Sequence, residues 1–455
     1  MTEHHVEGSL GNDPASDQEE QQNSDIITVV LTSDNHLGDT AFSQNPRKLE
    51  ERQQRLRRAF QQATDFALGQ GVDLFIQAGD LFDTPVPLER DRSFVAARLA
   101  QLKQAGVRTF ALGGVHDTPL AGYGSKDEDL PAPQMSYARL GALHYFPPQP
   151  GIETSGETQA EMFESQQPLE PEPVILTLHG VQVGICGLGV LAGQEGDILS
   201  RVRLEGPFER VDVPIMVLHA ALEGLTSGST LLDTRALVSR QSIQDQPAIR
   251  YLLVGYQHKY EHFRVGKCEV VVAGSTQRIE FGDLDSNPGF VFLGLAADGI
   301  RWCKHISLEA APVHRLTLQA TELWPEQSAN DEQPTAPTEI ILERLRPLCT
   351  PEAMVQLRLE GELTRSQYHQ LDLNQIRHYG EQNCFALAID DSTLSLLPEQ
   401  ETVSIETGER FSPRAELVAM VDEWIAATDD ESEKRGFAAT REELLSALDE
   451  VKGKR

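Results

Sequence analysis

Five short apolar runs in this chain end in Asp or His. IITVVLTSD stops at Asp34-Asn35-His36, VDLFIQAGD at Gly79-Asp80, VRTFALGG leads into Gly114-Val115-His116-Asp117, PIMVLHA holds His219, and YLLVGYQ leads to Tyr256-Gln257-His258. Brief apolar runs bounded by turn residues read as buried strands. Helix-patterned stretches separate the first three, one over residues 47–58 and one near residues 89–105. Strand, helix, strand repetition needs right-handed crossovers, so the chain is α/β with a largely parallel sheet. Ligands gather at the carboxyl ends of strands in such sheets, which directs all five motifs toward one crevice.

The pattern then changes. Residues 174–188 read as two strands turning at His179-Gly180, and residues 289–302 as two more turning at Asp298-Gly299. Tight turns of this kind predict an antiparallel second half. PIMVLHA, YLLVGYQ and CEVVVAGST complete two sheets packed face to face, in a domain expected over residues 26–310. A small α+β domain is expected over residues 311–400, interrupted by the Pro-rich, polar stretch 323–339. Residues 401–455 carry two amphipathic helix signals: Ser412-Pro413 ahead of Leu417, Met420, Val421 and Trp424, and a Thr440/Glu443 capping box ahead of Leu444 and Leu448. Such short helices need to dock their apolar faces on this chain or on a partner.

Of the 455 residues 40% are hydrophobic, yet no run approaches the ~18 apolar residues of a membrane helix. No secretory pattern opens the chain, and a cytoplasmic location is expected. Residues 1–25, with seven acids and no Lys or Arg, are expected to be a disordered acidic tail. Five cysteines, scattered singly without a CxxC pair, argue against a disulfide framework and against a zinc knuckle, leaving them as small core residues. The formal charge of -31 opposes nucleic acid at long range, so a DNA-binding surface needs a local positive face. Residues 47–58, with six basic and two acidic residues, offer one; the alternative is a solvated helix face balanced by nearby acids.

Carboxylates with imidazoles suit a hard divalent cation such as Mn²⁺, and two such cations can clamp a phosphoryl group. The ordered series SDNHLG (33–38), AGDLFD (78–83), GGVHD (113–117), VLHA (217–220) and GYQHK (255–259) resembles the calcineurin-like metallophosphoesterases, and within them the nuclease subunit of the SbcCD type of DNA repair complex. The likeness covers residues 26–310 well and 310–400 loosely. It implies a metallophosphoesterase two-sheet sandwich flanked by helices. It also implies one metal site of Asp34, His36, Asp80 and His258, complete by residue type. The second site would use bridging Asp80 and His219, but Val115 stands where the family has asparagine and Tyr256 where it has histidine. Valine has no donor atom, and a neutral phenol with a pKa of ~10 is a poor ligand. Gln257 offers a carbonyl that could partly substitute. His116 matches the histidine that protonates the leaving oxygen, and Asp117 is expected to fix its tautomer.

Three functions follow: a Mn²⁺-type DNA nuclease with one strong and one weak metal site, a scaffold that binds DNA or an ATPase without cutting, and a small-molecule phosphoesterase. The expected partners are DNA, a coiled-coil SMC-like ATPase on the C-terminal helices, and a second copy of the chain in a homodimer, with no membrane.

Overall fold

The computed structural model describes residues 25–41, 45–119, 130–147, 168–189, 196–204, 206–225, 237–279, 281, 283, 286–324, 336–397 and 434. The acidic tail up to residue 24 and the two helix signals after residue 411, Lys434 apart, lie outside the described residues. The strands in chain order are β1 (Ile27–Thr32), β2 (Leu74–Ala78), β3 (Arg108–Leu112), β4 (His144–Phe146), β5 (Val174–Leu178), β6 (Val181–Leu188) and β7 (Val213–His219). There follow β8 (Ala221–Leu222), β9 (Leu237–Val238), β10 (Tyr251–Gly255), β11 (Glu261–Val265), β12 (Cys268–Val272), β13 (Gly289–Ala296) and β14 (Gly299–Ser307).

Two six-stranded sheets form, ordered β14-β13-β1-β2-β3-β4 and β11-β12-β10-β7-β6-β5. Their inner faces share one apolar core: Val29, Leu31, Ile76 and Leu112 of the first meet Ile185, Val217, Leu253 and Val271 of the second. Each outer face has its own core. Helix α1 (Pro46–Gln70) and helix α2 (Glu89–Gln104) cover the first sheet, burying Leu56, Phe60, Ala63, Val95 and Leu99. Asn45 caps α1, accepting from Lys48 N, ahead of Pro46 at the first turn, and Gly71 closes it in the left-handed conformation. The mixed α/β sandwich expected from the strand-helix alternation is therefore present.

Both hairpins form where the turns predicted them. The antiparallel expectation for the second half needs correction. In the second sheet β6, β7, β10 and β12 run parallel, and only the edge strands β5 and β11 are antiparallel. Short helices (Ile198–Arg201, Arg240–Gln244) sit in the crossovers between β6, β7 and β10, so the chain returns to the same end before each strand.

The chain falls into two compact units. One contains the chain up to Arg315 with Leu348–Gln356 and Asn383–Ala388, and the other Leu316–Pro347, Leu357–Gln382 and the chain from Ile389. Strands Val313–Gln319, Met354–Thr364 and Ala386–Leu397 form a three-stranded sheet in that order. The cysteine expectation is overturned at one pair: Cys349 and Cys384 are bonded, their Cα atoms 4.9 Å apart. Thirty-five residues separate them, a spacing that carries no pairing signal. Cys186 and Cys268 are buried core residues, as expected.

Candidate metal centre

The first three motifs leave one sheet and the last two leave the other, at ends that face each other. Backbone hydrogen bonds lace the first two turns together: Asp34 N donates to Gly79 O (3.1 Å), Asn35 N to Asp80 O (2.8 Å) and His36 N to Asp80 O (3.1 Å). Among the described non-glycine residues Asp34, His36, Asp80 and Tyr256 have φ of 49°, 46°, 52° and 94°; His179 is the other with a positive φ. Such backbone costs on the order of 1–3 kcal/mol per residue and persists where a site requires it. Gly79 and Gly114 permit the closeness. A Cβ on Gly79 would lie 2.2 Å from His219 Nδ1, and one on Gly114 would lie 2.1 Å from Asp80 Oδ1.

The structure brings together every ligand position expected from the motifs that has a donor. The ligand atoms of Asp34, His36 and His258 lie within 4.8 Å of one another, as do those of Asp34, Asp80 and His219. His36 Nε2 is 3.9 Å from Asp80 Oδ2, and His219 Nε2 is 3.1 Å from the same oxygen but off line for a hydrogen bond. Asp34, Asp80 and His219 are buried.

The far nitrogen of each histidine is already committed. His219 Nδ1 donates to Ala78 O (2.8 Å), His36 Nδ1 meets Asp83 Oδ1 (3.0 Å), and His258 Nδ1 meets the Asp283 carboxylate (2.9 and 3.0 Å). A carbonyl or carboxylate only accepts, so Nδ1 carries the proton and the lone pair of a neutral ring falls on Nε2. Nε2 of His36 and of His219 is buried without a hydrogen-bond partner. Aligned imidazole nitrogens beside two buried carboxylates fit a hard divalent cation.

The second position differs. Tyr256 is buried with its ring edge-on to His219, centroids 5.5 Å apart, and its backbone N donates to Asp34 Oδ2 (3.0 Å). Val115 brings only a hydrocarbon. Gln257 turns its Nε2 to the carbonyls of Leu222 and Leu225, and its carbonyl oxygen Oε1 is buried without a hydrogen-bond partner. Burial works to raise the Asp80 pKa, but His219, His36 and His116 outweigh it and hold the carboxyl well below its usual range. Burial likewise opposes charge on His219, yet Asp80 raises that imidazole to about 9.

His116 is half exposed beside His36, ring centroids 4.6 Å apart. Its partner is not the expected one. Asp117 accepts from Gly114 N (2.8 Å), Phe82 N (3.2 Å) and Gln134 Nε2, so it braces the turn from beneath. Asp83 Oδ1 lies 3.4 Å from His116 Nδ1, and this contact, against the pull of burial, lifts the His116 pKa to about 9. Asp83 serves His36 and His116 together. Its place in the GDxxD spacing was visible in the sequence, whereas Asp283 had no motif to mark it.

Four of the six basic residues of the run 47–58 are engaged within the fold. Arg52 Nε binds Asp39 (2.9 Å), Arg57 binds Asp91 (2.8 Å), Arg55 pairs with Glu51, and Lys48 Nζ donates to Cys384 O (2.9 Å). Acids balance Arg52, Arg55 and Arg57.

Residues 27–228 match the family model described as calcineurin-like phosphoesterase. That family comprises hydrolases that use divalent metals. Among curated proteins, the chain is 32% identical over 94 residues to the DNA double-strand break repair protein Mre11 of Saccharolobus solfataricus, covering 21% of this chain and 23% of that one. Mre11 of Thermoplasma acidophilum is 37% identical over 84 residues, 18% of this chain and 22% of its own length. The chain thus spans less than a quarter of the relatives it matches. Solved structures similar to it include a 5'-nucleotidase from Staphylococcus aureus (14% identity, TM-score 0.34, 62% of this chain and 54% of that one). A dimetal phosphatase from Danio rerio is another (12%, 0.33, 62% and 98%).

Proposed function

We propose that this chain is a metal-dependent phosphodiesterase of the DNA nuclease type, acting with one firmly held divalent cation. The observation that carries the reading is the meeting of Asp34, His36 and His258 within 4.8 Å, with Asp80 Oδ2 3.9 Å from His36 Nε2. It is set against a second position where Val115 and Tyr256 stand in place of donors. Short similarity to relatives named as DNA double-strand break repair proteins supports DNA as the substrate. When bound, the cation, Mn²⁺ by the chemistry of the donor set, polarises a phosphoryl oxygen and strengthens water as a nucleophile. Asp34, His36, Asp80 and His258 would hold it, with His219 a weak contributor toward a second. His116, protonated at neutral pH and half exposed, donates a proton to the departing oxygen. Asp83 orients His116 for that transfer.

Val115 and Tyr256 favour a second reading, a scaffold that keeps the fold and binds DNA or a coiled-coil ATPase without cutting. The two helix signals expected to dock such an ATPase, within residues 412–451, lie outside the described residues, Lys434 apart. Purified protein should cleave linear DNA or a generic phosphodiester with Mn²⁺, and Asp80→Asn should abolish cleavage. No turnover with any of several divalent metals would overturn the nuclease reading and leave the scaffold.

A further inference from the structure

His258 is the outlier among the three histidines. His219 has its Nδ1 held by Ala78 at the end of β2 and His36 by Asp83 in the turn that follows β2, whereas His258 is held by Asp283, in a segment between β12 and β13. This segment lies beyond residues 27–228, so the family match assigns it nothing. The Asp283 side chain is 1% exposed, receives His258 Nδ1 on both oxygens, and accepts Ile279 N on Oδ2 (2.8 Å). The one buried carboxylate thus braces its own segment and holds the ring it faces.

The segment is itself anchored from the other side of the crevice. Arg52 on α1 is 3% exposed and uses its whole fork: Nη1 donates to Arg278 O (2.6 Å), Nη2 to Ile279 O (3.3 Å) and Nε to Asp39 Oδ2 (2.9 Å). Asp39 closes the turn that begins at His36, its N donating to His36 O (3.1 Å). One guanidinium therefore ties the turn carrying His36 to the segment carrying Asp283.

We propose that Asp283 is the positioning residue for His258, and that Arg52 holds it in place by bridging the two loops. It fixes the His258 proton on Nδ1 and the ring in the plane that turns Nε2 to the metal position. The inference rests on His258 serving as a ligand, as argued above. Residues that orient metal-binding histidines are typically worth 10- to 100-fold in metal affinity.

The test uses the full chain with ¹⁵N-labelled histidine, His258 being assigned by the signal lost in His258→Gln. In the metal-free protein His258 should be the Nδ1–H tautomer. Asp283→Ala should convert it to a mixture and weaken Mn²⁺ binding, measured calorimetrically, about 10- to 100-fold. Asp283→Asn, whose Oδ1 still accepts, should retain most of the affinity. Arg52→Lys keeps the charge but loses the fork, and should move the tautomer and the affinity in the same direction as Asp283→Ala. A wild-type His258 protonated at Nε2, or Mn²⁺ affinity within two-fold of wild type in Asp283→Ala, would overturn the proposal. If Asp283→Ala does not fold, the wild-type tautomer and Arg52→Lys still decide it. A wild type that binds no Mn²⁺ would sink the nuclease reading instead, while the tautomer would continue to report on Asp283.

Discussion

Replacing Gly114 by alanine changes one hydrogen to a methyl group and should disable the centre. The added Cβ would stand 2.1 Å from Asp80 Oδ1, 2.4 Å from Asp80 N and 2.5 Å from Asp80 Cγ. Ordinary contact begins at 3.4 Å, so against the Asp80 backbone nitrogen the overlap is 1.0 Å, the difference between 3.4 and 2.4. No rotamer relieves it, because that nitrogen is backbone, in the turn that follows β2. Either Asp80 retreats or the turn carrying His116 does, and the hydrogen bonds His116 N to Asp80 Oδ1 and Gly114 N to Asp117 Oδ1 are then stretched. Misplacement by about 1 Å costs on the order of 10²-fold in rate, or ~2.7 kcal/mol of barrier. Cleavage of a generic phosphodiester with Mn²⁺ should therefore fall about 100-fold, while circular dichroism shows the fold unchanged. A folded Gly114→Ala protein with wild-type rate and metal affinity would refute the placement of Asp80 against this turn.

Two further outcomes follow from the same geometry. Asp83→Asn removes the carboxylate that lifts His116 to about 9, so its pKa should relax toward 6.5. Because the acid must be protonated, the alkaline limb of the pH–rate profile moves down. Activity at pH 8 should drop by roughly 30-fold while activity at pH 6 changes little from this cause; an unmoved limb would exclude the pairing. For the disulfide, peptide mapping without reductant should recover Cys349 linked to Cys384. Opening a loop of 35 residues should cost roughly 3–4 kcal/mol in denaturant unfolding. Free thiols at both positions would contradict it.

Much of the centre could be read from the chain because each donor sits at the end of an apolar strand run, where residue type and position reinforce each other. Asp34, His36, Asp80, His219 and His258 were all legible in this way, as were the departures at Val115 and Tyr256. Asp83 stood visibly in AGDLFD, but its role, like that of Asp283, did not show, since an aspartate gains that role from a histidine 47 or 25 residues away along the chain. Asp117 was misread for a related reason: adjacency to His116 suggested contact, but the turn points its carboxylate back at the amides of Gly114 and Phe82. The basic run looked like a charged surface because its counterions, Asp39 and Asp91, come from other elements. The direction of β7, β10 and β12 depended on crossovers whose helices are too short to carry a periodic signal.

The most direct measurement is metal stoichiometry, by elemental analysis and calorimetry on one preparation whose Mn²⁺-dependent DNA cleavage is assayed alongside. One tightly bound Mn²⁺ per chain, with cleavage, is expected. A second equivalent should appear only at much higher concentration, or in the Val115→Asn, Tyr256→His double variant. Two equally tight ions in the parent chain would contradict the account of the second position.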